Sequence, residues 1–367
     1  MASRRPHLLV VSGTAQSAPN GSSKVERAVA RGLSTHLDVT LLTRDTTPLV
    51  GEPFTHALYV RPSSKPWKTW LLAGRVARAI DALDAARPID VVLAFELAPV
   101  GEYVRRSHVA RRVPWVLAHH NLTPLEGVGA RRVLRAAPAI AISRAQAAML
   151  EAHGGEVLAT IENGVDPPGG EAFDAPELAG LPDAPVVFAG RVSVDKGADV
   201  LAAALDRLPR AARPPIVVVG DGPLAPRLAA IEGVVSRPWL PHATLLALVA
   251  RARAIVAPTR AEASPLLPLE AFVRGVPVVT SALPALADLV GSGDDARAWT
   301  VPVGDVEAWA DVLAALARGP LEGHAARRAA ARAYAETRLW PRVAEAWREV
   351  LVGLVDARAC ATPARRR

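Results

Sequence analysis

The chain is short of cysteine, lysine, long apolar runs and metal-ligating clusters, and each shortage narrows what it can be. Its one cysteine, Cys360, cannot close an intramolecular disulfide, which fits a reducing compartment. No apolar run approaches the roughly 18 residues that span a bilayer, because Arg, Asp, Gly or Pro soon interrupts each candidate. A soluble, cytoplasmic protein is expected. The opening "MASRRPHLLVVSGTAQSA" imitates a secretion signal, but its apolar part is only "LLVV" with a short flank, so it reads as a first strand. Neither a His/Cys cluster nor a paired-carboxylate metal motif is present, so no metal and no cofactor is expected. Lysine is scarcest of the charged residues: Lys24, Lys65, Lys68 and Lys196 stand among 43 basic residues, so composition alone would place arginine at position 196.

Against these shortages stand 367 residues, half of them hydrophobic, enough for two buried cores. A net charge of +7 and a pI near 10.2 invite a polyanion-binding reading, yet the positive residues are scattered and only the terminal "ARRR" forms a run. No nucleic-acid partner is expected. Short apolar runs alternate with longer Ala/Leu/Arg segments of helical spacing, a βα rhythm. Strand candidates are "HLLVVSG", "DVTLLT", "DVVLAF", "PWVLAHH", "AIAIS" and "EVLATIENG", then "PVVFAG", "PIVVVG", "AIVAP", "VPVVTS" and "AWTVPVG". Runs with continuous apolar character suit parallel strands covered on both faces. The chain thus reads as α/β, with two Rossmann-like domains whose parallel sheets face a central cleft. The expected boundaries are 1–166 for the first domain, 167–184 for a Pro/Gly-rich linker and 185–338 for the second domain. A final helix over 339–358 crosses back to the first domain, and 359–367 is a basic tail.

Ligands of such sheets gather where strands end. In "VVFAGRVSVDKGADVLAAAL" the loop from Arg191 to Gly197 leaves a strand and opens a helix, so Arg191 and Lys196 flank a helix N-terminus able to attract a diphosphate. Two solvated loop charges are the plainer alternative. In "PTRAEASPLLPLEAFVRGVPVV", Glu262 and Glu270 are eight positions apart, which one helix would not bring to a common face. Glu262 is therefore expected on the loop and Glu270 in a helix whose first turn holds Pro268. A carboxylate accepts two hydrogen bonds from a vicinal diol, as in a ribose or a hexose; the plainer alternatives are a first-turn acid complementing the helix dipole for Glu270 and a solvated loop residue for Glu262. His119 and His120 end the strand "PWVLA", and alternation separates their directions. Asn163 and Gly164 read as a turn. The stretch with Trp67, Lys68 and Trp70 opens either a helix packed on the first sheet, the favoured reading, or an acceptor or membrane-surface contact.

Taken together, "NGSSKVERA", "AHHN", "IAISRAQAAML", "IENGVD", "AGRVSVDKG", "VVGDGPL", "E-x7-E-A-x3-G-VPVV" and "LWPRVAEAW" resemble the retaining GT-B glycosyltransferases of glycosyltransferase family 4. The resemblance covers nearly the whole chain. It implies GT-B architecture and a metal-independent, retaining transfer from a nucleotide diphospho-sugar, with UDP or GDP as carrier, to a hydroxyl acceptor: a small molecule, a glycan or a lipid carrier. It implies a diphosphate near Arg191 and Lys196 and at the Leu266 and Leu267 amides, with Gly190 and Gly21 on the donor loops. Ribose would fall to Glu270, sugar hydroxyls to Glu262, and the donor sugar or reacting centre to His120. The chain departs from the common pattern in having one glycine, Gly21, where a pair is frequent, and "ASPLL" between the two glutamates. A nucleotide-sugar epimerase and a noncatalytic polyanion-binding protein are the alternatives.

Overall fold

In a computed structural model the described residues are 4–16, 21–45, 48–59, 68–120, 125 and 128–361. They form two compact units, Met1–Asn163 with Trp340–Arg367, and Gly164–Leu339.

The first unit holds seven parallel strands: β1 (His7–Ser12), β2 (Asp38–Thr43), β3 (Thr55–Leu58), β4 (Val91–Phe95), β5 (Trp115–Ala118), β6 (Ala139–Ala141) and β7 (Val157–Thr160). Their order in the sheet is β3-β2-β1-β4-β5-β6-β7. Every residue of β1, β4 and β5 is buried, as expected of central strands covered on both faces. The helix Lys68–Ala86 contributes Leu72, Val76 and Ile80 to this core. Trp67 and the side chains of Lys68 and Trp70 lie outside the described residues. The C-terminal helix Trp340–Ala361 belongs to this unit and packs on the helix Gly21–Leu33 so closely that a Cβ on Gly32 would lie 2.4 Å from Cβ of Ala344. Residues 362–367 of the basic tail fall outside the described chain.

The second unit has six parallel strands: β8 (Val186–Ala189), β9 (Ile216–Val219), β10 (Val234–Arg237), β11 (Ala254–Ala257), β12 (Val278–Ser281) and β13 (Trp299–Val301). The order is β10-β9-β8-β11-β12-β13. Both sheets are Rossmann-like. The stretch expected as the interdomain linker, 167–184, packs onto this unit: Leu178 and Leu181 enter its core, the Ala172 amide donates to the Ala243 carbonyl, and Glu171 pairs with the buried Arg274 at 2.6 Å. Its Pro and Gly content signals the absence of regular structure, and its leucines and Glu171 supply the anchors. Among the described residues no helix is long and apolar enough to cross a membrane.

Candidate functional site

In the second sheet, strand order reverses between β8 and β11, so the loops leaving these two strands border the position where parallel sheets open a ligand crevice. Gly190 leaves β8 at φ +148, and Gly197 caps the next helix, Ala198–Arg207, at φ +73. Only glycine fits at 197: a Cβ there would stand 1.8 Å from the Pro258 carbonyl oxygen on the β11 loop. The two loops are laced together around that contact. The Arg260 amide and the Thr259 hydroxyl donate to the Asp195 carbonyl at 2.9 and 3.1 Å, while the Arg260 guanidinium grips both Asp199 oxygens at 2.7 Å. This lacing brings Lys196 Nζ into contact with Oε1 of Glu262, the two side chains keeping 24% and 20% of their surface exposed.

The start of the Ala198 helix is occupied by the chain itself. The amides of Lys196, Gly197 and Ala198 donate to the Ser193 and Val194 carbonyls. Asp199 takes its own amide and that of Val200. Burial alone would raise the Asp199 carboxyl, but the Arg260 bonds and charge and these amides outweigh it and hold the group below its ordinary range. The amides of this helix start, expected to attract a diphosphate, are therefore already engaged, with an aspartate serving as the anion. Arg191, mostly exposed, pairs with Asp195 at 2.8 Å, and the Ser193 hydroxyl donates to the other Asp195 oxygen at 2.5 Å. The Ser193 bond, then burial working against it, then the charges of Arg191 and Lys196 leave Asp195 lowered.

A second helix start follows the loop that carries Glu262. Leu266–Val273 begins after Pro265, which offers no side-chain cap, so the Leu266 and Leu267 amides lack acceptors within the helix. Glu262 lies on the loop before it and Glu270 within it, as the spacing required. Glu270 is buried, 5% exposed, and its Oε1 lies 2.9 Å from Nε2 of His242. With the carboxyl ionised, this contact needs the Nε2-protonated ring. His242 is the partner of Glu270 that the sequence reading does not name. Its only local signal is a histidine opening the helix His242–Arg251 directly after Pro241.

In the first unit the order reverses between β1 and β4, with Ser12, Phe95 and Ala118 in register at the strand ends. His119 is 4% exposed, and neither of its ring nitrogens has a hydrogen-bond partner among the described residues; the same holds for the buried Nε2 of His120. Burial pushes His119 down to about 4, and burial with the neighbouring His119 pushes His120 down to about 3. Both rings are neutral near pH 7. The His120 ring lies on Phe95 (centroids 5.1 Å apart), which lies against Trp347 of the C-terminal helix (6.0 Å). Beyond β1, Glu26 is buried and accepts from the Ser12 hydroxyl at 2.6 Å and from the Gln16 side-chain amide. Burial raises its carboxyl to about 8 against the pull of those bonds. Gly21 is the first residue of the helix that carries Glu26. Among the described residues no three His, Cys, Asp or Glu side chains could together hold a metal ion.

Residues 184–318 match the family described as "Glycosyl transferases group 1". A D-inositol 3-phosphate glycosyltransferase of Xylanimonas cellulosilytica is 34% identical over 202 residues, 52% of this chain and 46% of that protein. One from Mycobacterium avium is 31% identical over 174 residues, 44% of this chain and 40% of the relative. The chain thus spans less than half the length of these two relatives. Among solved structures, a sucrose-phosphate synthase from Thermosynechococcus elongatus superposes with a TM-score of 0.77 at 19% identity, covering 96% of this chain and 100% of that one. Anabaena HepE in complex with UDP-glucose gives 0.72 at 18% identity, covering 95% and 99%. The fold, two Rossmann-like parallel-sheet domains, is that of GT-B glycosyltransferases.

Proposed function

We propose that the protein is a glycosyltransferase that moves a sugar from a nucleotide diphospho-sugar to a hydroxyl acceptor with retention of anomeric configuration and without a metal. The observation that carries this reading is the meeting of Lys196 and Glu262 at the β8/β11 switch point, beside a helix that starts after Pro265 and holds the buried Glu270. A cation for phosphate and carboxylates for hydroxyls are the two chemistries a nucleotide sugar demands. Arg191 and Lys196, with the Leu266 and Leu267 amides, offset charge on the departing diphosphate, the part a metal ion would otherwise take. Glu270 accepts from the ribose diol and is oriented by His242. Glu262 accepts from the donor sugar, and neutral His120 is assigned to the sugar or the reacting centre. The bond between the anomeric carbon and the phosphate oxygen breaks, the acceptor oxygen bonds to the same face of that carbon, and the acceptor proton passes to the leaving phosphate. No side-chain nucleophile is needed. The glycosyltransferase match over 184–318 and the GT-B fold support the reading.

The test is mass spectrometry of purified protein with UDP- and GDP-sugars and a panel of hydroxyl acceptors. UDP-glucose, seen in the HepE complex, and inositol 3-phosphate, named in the relatives, come first. A glycosylated acceptor with its anomeric configuration kept is expected. Isomerised donor in the absence of any acceptor would replace transfer by epimerisation. Lys196→Ala should lower kcat more than it weakens donor binding, because only contacts strengthened in the transition state accelerate chemistry.

A further inference from the structure

We infer that Glu262 holds the Lys196 ammonium in the ligand-free protein and must be displaced by an incoming diphosphate, so that this pair discriminates a nucleotide sugar from the bare nucleotide diphosphate. The inference rests on the donor-site reading above and adds to it an exchange of partners. Lys196 Nζ contacts Glu262 Oε1, and among the described residues Glu262 has no other hydrogen-bond partner. The two loops that carry them are fixed to each other by Gly197 against Pro258 and by Arg260 on Asp195 and Asp199. The pair is therefore set by contacts of the chain itself. A phosphate oxygen that approaches Lys196 brings negative charge beside the Glu262 carboxylate, and the two anions repel.

What happens next depends on what the ligand carries. A bare nucleotide diphosphate ends in a phosphate, with no hydroxyl to offer; once it takes the ammonium, the carboxylate is left without a donor in a mostly buried position, which is costly. A nucleotide sugar brings O–H donors next to its diphosphate. Glu262 can then pass from Lys196 to the sugar while Lys196 passes from Glu262 to the phosphate, and neither group loses a charge-assisted partner. Arg191 offers a contrast within the same loop. Its partner Asp195 is also held by the Ser193 hydroxyl, so Asp195 keeps a donor when Arg191 turns to a ligand. Discrimination therefore falls to the Lys196 pair.

Calorimetric titration of UDP, GDP, UDP-glucose and GDP-mannose into the wild type, Glu262→Ala, Lys196→Ala and the double variant tests this, with Glu262→Gln as the substitute should Glu262→Ala fail to fold. For whichever nucleotide the wild type binds, Glu262→Ala is expected to bind the bare diphosphate about two- to fivefold tighter, the scale of a partly exposed ion pair, while its nucleotide sugar binds no tighter. In the Lys196→Ala background that gain should vanish. An unchanged or weaker affinity of Glu262→Ala for the bare diphosphate overturns the inference, as does a gain that survives undiminished without Lys196, which would be a long-range field effect. If the wild type binds none of the four, the donor-site reading falls and takes the inference with it. If it binds both kinds of ligand and Glu262→Ala leaves their ratio unchanged, only the inference falls.

Discussion

The two units build their switch points from opposite materials. In the first, ionisable groups at or against the strand ends are buried and neutral: His119 and His120 pushed down, Glu26 on its helix pushed up, each by burial above all. In the second, basic and acidic side chains are matched in pairs, Arg191 with Asp195, Lys196 with Glu262 and Arg260 with Asp199, each with an edge in solvent. A neutral buried group is rigid and sensitive to its packing, because a charge there is expensive. A pair with an edge in solvent can be traded at small cost for a ligand that brings each partner a replacement. The first unit is thus built to hold a shape, and the second to exchange partners.

The contrast breaks most forcibly at Trp347. Replacing this core indole with alanine should destabilise the first unit by about 3–5 kcal/mol and admit water to the Phe95–His120 stack. Hydrogen exchange should report that loss in the first unit alone, and NMR should find the His120 titration moved up toward the ordinary 6.5. A destabilised variant whose His120 titration stays put would reduce Trp347 to packing.

Glu26→Gln should give the next largest change, and in the stabilising direction. With its carboxyl raised to about 8, the wild type has the stability due to a protonated Glu26 in full below an unfolded value near 4.5, and loses it as pH rises through 8. Glutamine keeps an acceptor for Ser12 and Gln16 and cannot ionise. Urea unfolding should find the two proteins similar at pH 5 and the variant more stable by on the order of 2–4 kcal/mol at pH 8. A difference that does not depend on pH would mean that Glu26 is ionised in the folded protein.

In the second unit Glu270→Gln is expected to weaken nucleotide-sugar binding by about 1.5–3 kcal/mol, the worth of hydrogen bonds to a charged acceptor, with the His242 contact and the melting temperature largely kept. Unchanged donor affinity by calorimetry would remove Glu270 from the site. The smallest effect belongs to Arg191→Ala. Its exposed pair should contribute under about 0.5 kcal/mol to stability, while affinity for UDP or GDP falls. A larger loss of stability would put this pair among the structural ones and blur the contrast.

Much of this was legible in the chain. Eleven apolar runs named eleven of the thirteen strands among the described residues, and the two passed over, β3 and β10, are the outer strands on one edge of each sheet, where no residue is fully buried and the apolar signal fades. Lys196 stood out because composition argued against it, and Glu270 because a helix could not bring it to Glu262's face. Their partners were not legible. Lys196 and Glu262 are 66 residues apart and meet only because Gly197 lets one loop touch the other. His242 and Glu270 are 28 apart on two helices, and Trp347 reaches His120 only through Phe95. Such pairings belong to tertiary packing, which no local period encodes.

That the first unit is closed by the last helix has a consequence for synthesis. The 176 residues of Gly164–Leu339 separate Asn163 from Trp340. At about 5–20 residues per second the ribosome needs roughly 10–35 seconds to cover that interval. For that time the helix Gly21–Leu33 has no Trp340–Ala361 to pack against, and Phe95 has no Trp347. The second unit, continuous in the chain, has no such wait. The first unit is therefore begun before the second and completed after it, and in that interval the apolar face that the Trp340–Ala361 helix covers stays open.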